Sequence, residues 1–384
     1  MKKVLILGGS HRDIPLIKAA QELGYFVSTL GDRDYYLGHK YADMFYKVNF
    51  NDLAKVKNII KDEGIDYIIP GSGEESYLNT VQIAKELSIG NFDDLETAKL
   101  VHNKWKFKKF CLKHNISTPN GLYYKEDYDL NSLAFPIVIK PTNLSGGRGV
   151  DIVGNLNDLN LSLSRAKKVS NEIFLEEFIE GELIAYSVFL KNQKIVYGFT
   201  GKDDTYKNPY LITTAYPILI EEEVLDRLKF DIEIMAKKLS LVDGMFHLQV
   251  IIKNKIPYII DVTRRIPGDF YPNLIELCDK VEYSKSVVKS YIGQKLDNEF
   301  TINTRKSFVI RHCVMSSRNG IFKEVKIADS LKNKIISTFN LIEKDTHIKD
   351  FLTTQIAIIF IELLSEDNQV INNINDLIYP IIEN

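Results

Sequence analysis

The sequence predicts a chain of two structural classes, a doubly wound parallel α/β domain followed by α+β structure. Over about the first hundred residues, apolar runs alternate with amphipathic helical segments, which is typical of a parallel sheet flanked by helices. From residue 135 onward, short strands follow one another closely, as they do in antiparallel hairpins. The length of 384 residues allows two or three domains.

The first predicted element is a buried strand, because residues 4–7 form a continuous apolar run. Gly8 and Gly9 then turn the chain, Asp13 can cap the following helix, and Pro15 suits a first helical turn. The alternation of strand and helix continues from there. Strands are predicted at 26–30 and 65–70, and helices at 14–23, 53–63, 75–87 and 96–114.

After the change of pattern, most predicted elements are strands. They lie at 135–140, 150–153, 173–178, 185–190, 194–200, 245–252 and 257–262, with helices at 158–168 and 221–238. The segment after residue 300 alternates short strands and helices and is predicted to be a small closing subdomain. The predicted domains are therefore residues 1–100, 101–184, 185–300 and 301–384.

Charge and cysteine content exclude several classes of protein. Lys and Arg total 49 against 51 Asp and Glu, a formal net charge of −2 that lacks the basic excess of a dedicated nucleic-acid binder. The cysteines Cys111, Cys278 and Cys313 lie far apart, which fits a reducing cytosol better than a disulfide framework. The N-terminal apolar run is too short for a signal peptide, and no run approaches the span of about 20 residues that a membrane requires. We expect a cytoplasmic protein with neither a membrane nor a nucleic-acid partner.

The segment FPIVIKPTNLSGGRGV, residues 135–150, consists of a strand, a glycine-rich loop and a second strand. Glycines let backbone N–H groups approach phosphate oxygens closely, because no Cβ intervenes. Lys140 precedes the loop, whereas a Walker A loop places Lys-Ser/Thr directly after its last glycine and before a helix. The segment predicts a flap over a triphosphate, with a plain flexible hairpin as the alternative.

The segment FLEEFIEGE, residues 174–182, suits the base and ribose of a nucleotide. An extended backbone offers C=O and N–H groups two or three residues apart, which match the amino group and a ring nitrogen of a base. Glu182 is placed to accept hydrogen bonds from ribose hydroxyls. The alternative is a strand end with solvated acidic side chains.

The segment HLQVIIKNKIPYIIDVTRR, residues 247–265, predicts two antiparallel strands joined by a turn. Alternation places Gln249 on one face of its strand, and Asp261 and Thr263 together on one face of the partner strand. Oxygen ligands with few carboxylates suit Mg²⁺ that shares nucleotide phosphates. Arg264 and Arg265 follow with donors suited to a carboxylate or a phosphate. A hairpin with a polar outer face is the alternative.

Together, in this order and spacing, the three segments resemble the ATP-grasp superfamily over roughly residues 1–300. The similarity is to carboxylate–amine ligases such as biotin carboxylase, the carbamoyl-phosphate synthetase halves and bacterial L-amino-acid ligases. The resemblance implies an ATP-grasp fold: an N-terminal doubly wound parallel-sheet domain, a small lid and a C-terminal α+β domain, with ATP between the last two. It implies ATP and Mg²⁺ as cofactors, with Mn²⁺ able to replace Mg²⁺.

The resemblance also implies roles for individual residues. Those implied to bind ATP are Lys104 and Lys140 at the phosphates, Ser145, Gly146, Gly147 and Gly149 in the loop, Glu176 and Ile179 at adenine, and Glu182 at the ribose. The implied magnesium ligands are Gln249, Asp261 and Thr263, and the implied catalytic residues are Arg265 and Lys140. Candidates on the substrate side are Gly268 and Asp269 in the turn that follows, and Arg264, Lys202 and Arg311 as donors to a carboxylate. His11 is a further candidate at the carboxyl edge of the first sheet, whereas His247 is predicted to be structural.

The implied reaction joins a carboxylate to an amine through an acyl phosphate and releases ADP and phosphate, forming an amide or peptide bond on a small molecule. A small carboxylate and a small amine are the expected substrates, and a homodimer is a common arrangement. The metal positions depart from the family, which usually has Glu, Asp or sometimes Gln, then Glu, then Asn. Because only one of the three residues here is a carboxylate, a non-catalytic ATP-binding or regulatory relative stays open as an alternative. An NAD-dependent oxidoreductase is less favoured, because GGSHRD lacks the G-x-G-x-x-G pattern.

Overall fold

The computed structural model of the chain describes residues 1–126, 130, 134–142, 149–296, 300 and 307–383. Within these residues the strands are β1 (Lys3–Leu7), β2 (Phe26–Gly31), β3 (Met44–Lys47), β4 (Tyr67–Pro70), β5 (Gly121–Tyr123), β6 (Ile137–Pro141), β7 (Asp151–Val153), β8 (Ile173–Glu177), β9 (Glu182–Lys191), β10 (Lys194–Thr205), β11 (Ile212–Pro217), β12 (Gly244–Lys253), β13 (Ile256–Thr263), β14 (Phe308–Met315), β15 (Gly320–Ile327), β16 (Ile335–Asn340), β17 (His347–Ile348), β18 (Gln355–Leu363) and β19 (Ile378–Glu383). The helices are α1 (Ile14–Glu22), α2 (Leu53–Asp62), α3 (Glu74–Leu87), α4 (Leu95–Val101), α5 (Lys104–Lys113), α6 (Leu156–Ala166), α7 (Glu222–Lys238), α8 (Tyr271–Asp279), α9 (Tyr283–Tyr291), α10 (Asp329–Lys332), α11 (Asn368–Asn372) and α12 (Ile374–Leu377).

The N-terminal domain is built on a parallel sheet in the order β3–β2–β1–β4, which confirms the predicted doubly wound fold. β1 lies between β2 and β4 in the interior of the sheet, and its apolar residues 4–7 are fully buried there. The chain runs outward from β1 to β3 and then crosses to β4 on the other side of β1. The loops that follow β1 and β4 therefore lie side by side at the carboxyl edge, where open α/β sheets bind ligands.

The lid sheet is antiparallel and joins its strands in the order β5–β8–β6–β7. Helix α6 covers it, and the two share a small apolar core that includes Ile139, Leu163 and Leu175. The glycine-rich segment follows β6, and its residues Ser145, Gly146 and Gly147 lie outside the described residues.

The lysine-rich segment predicted as one helix at 96–114 forms two helices, α4 and α5. The break falls at Asn103, whose side-chain oxygen accepts a hydrogen bond from the Lys106 N–H at 2.9 Å and so caps α5. The next residue, Lys104, donates its backbone N–H to the carbonyl of Thr142 at the end of β6, at 3.1 Å. The cap therefore fixes the first lysine of α5 beside the lid.

The large sheet runs through the rest of the chain in the order β13–β12–β9–β10–β11–β14–β18–β16, and its neighbours are antiparallel. β11 pairs with β14, so the segment after residue 301 adds strands to a sheet that begins at residue 182. The predicted closing subdomain is thus continuous with the domain before it. A second sheet, β17–β15–β19, packs at the end of the chain.

The two faces of the large sheet pack against different partners. The face that carries Ala185 and Phe189, called the inner face below, shares a core with α8, α9 and the N-terminal helix α1. The outer face carries Tyr186 and Leu248 and packs against α7. In the described ranges, no helix has both the length and the apolar character that a membrane crossing requires.

Candidate active site

The cleft between the lid sheet and the inner face of the large sheet is centred on Asp261. The Nζ of Lys104 lies 3.0 Å and 3.1 Å from the two carboxylate oxygens of Asp261 on β13. Burial alone would raise the pKa of Asp261, but Lys104, reinforced by Lys140 and Arg265, lowers that pKa below its ordinary value. Cations from α5, from the lid and from the segment after β13 thus act on one carboxylate.

The predicted magnesium ligands share the inner face beside this ion pair. Gln249 on β12 lies opposite Asp261 on β13, and His247 lies opposite Thr263. Directly opposed residues of antiparallel strands point to the same face, so the three ligands lie together. His247 is engaged structurally, because its Nδ1 lies 2.7 Å from the Ser187 hydroxyl and burial lowers its pKa to about 3.

The donor chemistry of these ligands fits a magnesium ion that arrives on nucleotide phosphates. They offer an amide oxygen, a carboxylate and a hydroxyl, and Mg²⁺ commonly takes one or two protein carboxylates together with phosphate oxygens. No three His, Cys, Asp or Glu side chains are grouped to hold a metal in the part of the chain that the structure describes.

Glu176 on β8 bridges two lysines at the base of the lid. Its carboxylate lies 2.5 Å from the Nζ of Lys140 on β6 and 2.6 Å from the Nζ of Lys108 on α5, and its side chain is 2% exposed. Burial lowers the pKa of Lys108 although Glu176 opposes that shift. The sequence analysis did not single out Lys108, yet its spacing of four residues from Lys104 places both on one side of α5.

The remaining predicted nucleotide residues lie around the lid and the first strand of the large sheet. Ile179 is buried between β8 and β9, and Glu182 begins β9. Gly149 has a φ of +72°, in the left-handed region that favours glycine, just before β7. The Nζ of Lys202 lies 3.1 Å from the carboxylate of Glu182. Because Lys202 alternates with inner-face Asp203 along β10, the structure does not bring it to the inner face.

Arg264 and Arg265 are neighbours in sequence but lie in different environments. Arg264 is 4% exposed; its Nε donates to Asp93 at 2.8 Å and its Nη atoms donate to the carbonyls of Met245 and Val242 at 2.5 Å and 2.7 Å. The structure therefore places Arg264 in the packing between domains and not on the substrate side. Arg265 donates from Nη1 to the Ile266 carbonyl at 3.1 Å, while its buried Nε has no hydrogen-bond partner among the described residues.

The turn after β13 is held by the N-terminal domain. Asp269 and Phe270 have φ of 55° and 56°, two consecutive left-handed residues that are strained for non-glycine side chains. The Asp269 carboxylate accepts a hydrogen bond from Arg12 Nε at 2.8 Å and lies 3.2 Å from His11 Nε2. Although burial opposes it, this pairing with Arg12 holds the pKa of Asp269 well below its usual range. Gly268 lies against the same arginine, since a Cβ there would be 3.1 Å from Arg12 Cδ.

Arg311 on β14 reaches the same turn from the large sheet. Its side chain is 1% exposed, and its Nη1 donates to the Asp269 carbonyl at 3.1 Å. Asp203 on β10, which the sequence analysis missed, is 5% exposed on the same face; burial raises its pKa to about 7 against the opposing charge of Arg311. Asp203 stands in the run Lys202-Asp203-Asp204, and such a charged run predicts a solvent-exposed surface, so the sequence gives no indication that Asp203 is buried.

Comparison with known proteins agrees with this geometry. Residues 101–269 match a family model described as an ATP-grasp domain. The chain is 28% identical over 193 residues to the formate-dependent phosphoribosylglycinamide formyltransferase of Prochlorococcus marinus (strain NATL2A), an alignment that covers 47% of this chain and 49% of that protein. It is 23% identical over 291 residues to the carbamoyl phosphate synthase large chain of Clostridium beijerinckii, covering 69% of this chain and 27% of that protein. The alignment thus spans about half the length of the formyltransferases.

Two solved structures share the fold across the whole chain. The L-amino acid ligase from Bacillus licheniformis has a TM-score of 0.86 at 17% identity, covering 100% of this chain and 99% of that one. The phosphoribosylglycinamide synthetase from Anaerococcus prevotii has a TM-score of 0.79 at 20% identity, covering 100% of both chains. Residues 101–269 thus match an ATP-grasp domain, and the chain as a whole has the ATP-grasp fold. The predicted resemblance to the carboxylate–amine ligases of that superfamily is confirmed.

Proposed function

We propose that the chain is an ATP-dependent ligase that joins a small carboxylate to a small amine through an acyl phosphate and releases ADP and phosphate. One observation carries the proposal: Lys104, Lys140 and Arg265, from three separate elements, act together on Asp261 in the cleft. Phosphoryl transfer needs positioning and neutralisation of spreading negative charge, and this is an arrangement of charges suited to that task.

Each residue has a distinct part in this proposal. Lys104 and Lys140 hold the phosphates of ATP, and Arg265 faces the transferred phosphoryl group with its Nε, which has no partner in the described part of the chain. Gln249, Asp261 and Thr263 hold magnesium, which when bound shares the phosphate charge; Mn²⁺ can take its place. The lid excludes water, so that the acyl phosphate reacts with the amine and is not hydrolysed.

The N-terminal crevice, formed by the loops that follow β1 and β4 at the carboxyl edge of the parallel sheet, limits the substrates that we expect. Asp13 accepts hydrogen bonds from the N–H groups of Gly9, Ser10 and Ser72 at 2.8 Å, 2.8 Å and 2.7 Å. Backbone donors at this edge of an open α/β sheet are suited to a ligand's phosphate, but here a side chain of the protein already occupies them. We therefore expect substrates without a phosphate at this crevice, unlike the phosphoribosyl compounds in the names of some relatives. A homodimer stays a prediction.

Trapping with hydroxylamine tests the proposed reaction. The purified chain is incubated with Mg·ATP, hydroxylamine and a panel of small carboxylic acids, and both ADP and hydroxamate are measured. Equal amounts of ADP and hydroxamate with one class of acid are expected, because hydroxylamine intercepts an acyl phosphate. ADP release that never yields a hydroxamate with the acid that stimulates it would contradict the ligase mechanism.

Lys140→Ala is expected to reduce ADP formation by at least about 100-fold, because removing one donor to the transferred group typically costs about 3 kcal/mol. The variant is expected to fold, since Glu176 keeps its pairing with Lys108. Lys167→Ala is the matched control, because this lid lysine pairs with Glu126 at an exposed position. Turnover within about twofold of wild type in Lys140→Ala would refute the assigned role.

A non-catalytic nucleotide-binding protein is the second candidate, and the metal ligands favour it, because only one of the three, Asp261, is a carboxylate. Calorimetric binding of Mg·ATP without ADP release across the acid and amine panel would select this candidate.

A further inference from the structure

Three buried polar atoms at the inner face of the large sheet have no hydrogen-bond partner among the residues that the structure describes. Within the described residues, Asp203 Oδ1, Arg311 Nε and the Tyr271 hydroxyl are sealed from solvent and unpartnered. The three side chains are 5%, 1% and 4% exposed. A buried polar atom without a partner is costly, so three together indicate a place where a ligand supplies the missing bonds.

The sheet register brings these groups to one place. Asp203 on β10 lies opposite Ala215 on β11, and Ala215 lies opposite Arg311 on β14. The Asp203 and Arg311 side chains therefore lie on either side of the small Ala215 side chain. The Tyr271 hydroxyl rests over the neighbouring Gly201, since a Cβ built there would lie 2.4 Å from that oxygen. The space over Gly201 is therefore taken up by the Tyr271 hydroxyl, which lies on the same face of the sheet as Asp203.

The charges of Asp203 and Arg311 interact electrostatically, although the two side chains form no hydrogen bond with each other within the described residues. Both charges act on the Tyr271 hydroxyl. Among the described residues, however, the Arg311 side chain donates its hydrogen bond to the Asp269 carbonyl and not to Asp203. The Asp203 carboxylate is thus left without an ion pair among the described side chains, and a cation of the ligand can supply one.

The group also adjoins the proposed reaction centre. The Gln249 side chain hydrogen-bonds the Asp203 carboxylate, and Gln249 lies opposite Asp261 on the next strand. A substrate whose carboxylate lies beside the magnesium ligands would therefore have its nearest substituents at Asp203.

We propose that Asp203 and the Tyr271 hydroxyl bind the protonated amino group of the carboxylate substrate, so that the acid activated by this chain is an amino acid. This inference rests on the proposed ligase function. The ammonium group supplies N–H donors to the free Asp203 oxygen and to the Tyr271 oxygen, and its charge offsets that of the carboxylate. An acid without the amino group leaves these atoms unpaired and is rejected.

The first experiment compares amino acids with the same acids lacking the amino group, for example alanine with propionate and leucine with 4-methylpentanoate. The kcat/KM for ADP formation is measured with hydroxylamine as the acceptor. Wild type is expected to prefer the amino acid by at least about 100-fold, because a site built to pair a polar group discriminates strongly against its loss.

Two variants test the residues. Asp203→Asn keeps the shape of the side chain and removes its charge, and is expected to reduce the preference at least about tenfold, mainly through KM for the amino acid. Tyr271→Phe removes a hydroxyl that has no partner in the described protein, so it is expected to fold normally while losing part of the preference. Asp204→Asn is the matched control, because Asp204 is the next residue of β10 and points to the outer face; it is expected to keep the preference.

A binding measurement separates this inference from the ligase function. The melting temperature of the chain is followed with Mg·ATP analogue and amino acid, with no turnover required. Amino acids are expected to raise it for wild type and Asp204→Asn, but not for Asp203→Asn. If the chain activates carboxylic acids without preferring amino acids, the inference is overturned and the proposed ligase function stands. If Asp203→Asn and Tyr271→Phe both keep the wild-type preference for amino acids, the inference is also overturned. Amino-acid binding that depends on Asp203, without ADP release from any acid, upholds the site and refutes the ligase.

Discussion

The N-terminal crevice and the cleft on the inner face are both polar, but they differ in how their buried carboxylates are bonded. In the crevice, Asp13 accepts from three backbone N–H groups and from the Ser10 hydroxyl. In the cleft, buried atoms of Asp203, Arg265 and Arg311 have no partner in the described part of the chain. The fully bonded Asp13 carboxylate is suited to stabilising the fold, whereas the open hydrogen-bonding positions in the cleft are ones that a ligand can complete.

The adjacent arginines provide the sharpest test of this comparison. Arg264→Ala is expected to lower the free energy of unfolding by about 3–5 kcal/mol, because it leaves buried Asp93 without its ion-pair partner. Arg265→Ala is expected to change that free energy by less than about 1 kcal/mol and to reduce ADP formation at least about 100-fold. Urea unfolding and ADP release are measured for both variants. Equal losses of stability in the two would contradict the distinction.

Asp13→Ala tests the fully bonded carboxylate of the crevice. The variant is expected to lose about 2–3 kcal/mol of unfolding free energy, because several backbone donors lose a charged acceptor together. Sulfate is expected to restore part of this stability by occupying the exposed N–H groups. Asp32→Ala is the control, since that carboxylate is exposed. A loss no larger than that of Asp32→Ala would show that the crevice contributes little to the fold.

His312 tests a buried polar residue on the outer face, behind the cleft. Its Nδ1 lies 2.9 Å from the Thr214 hydroxyl, and burial lowers its pKa to about 3. Below the ordinary value of 6.5, the unfolded chain binds a proton that the folded chain does not, so stability falls as the pH falls toward 3. This side chain is expected to contribute about 1.4 kcal/mol per pH unit in that window.

Urea unfolding between pH 7 and 4 measures this contribution, and His312→Gln is expected to flatten the dependence by that amount. His347→Gln, at an exposed position on β17, is expected to leave it unchanged. Identical pH dependence in both variants would contradict the proposed protonation of the unfolded state.

Local patterns were enough to predict most elements of the fold. The apolar run at 4–7 became β1, and the hairpin of β12 and β13 has the register that strand alternation indicates. The break at Asn103 was missed because helix-forming residues continue on both sides of it, although Asn favours an N-cap, and its capping bond to Lys106 begins the second helix there. The pairing of β11 with β14 joins segments about a hundred residues apart, which no local pattern indicates.

By itself, the sequence determined which residue types were available: the lysines before and within the lid, the Gln, Asp and Thr along one hairpin, and two arginines after it. Those follow from spacing, because strand alternation sets which side chains share a face. Only the tertiary structure decided how they are used. Arg264 pairs with Asp93, which lies 171 residues away in sequence, whereas Arg265 keeps a buried Nε without a partner among the described residues. Asp203 is buried on the inner face, where it interacts electrostatically with Arg311. The reason is physical, since the role of a buried charge is set by which partners the packed chain brings within hydrogen-bond distance.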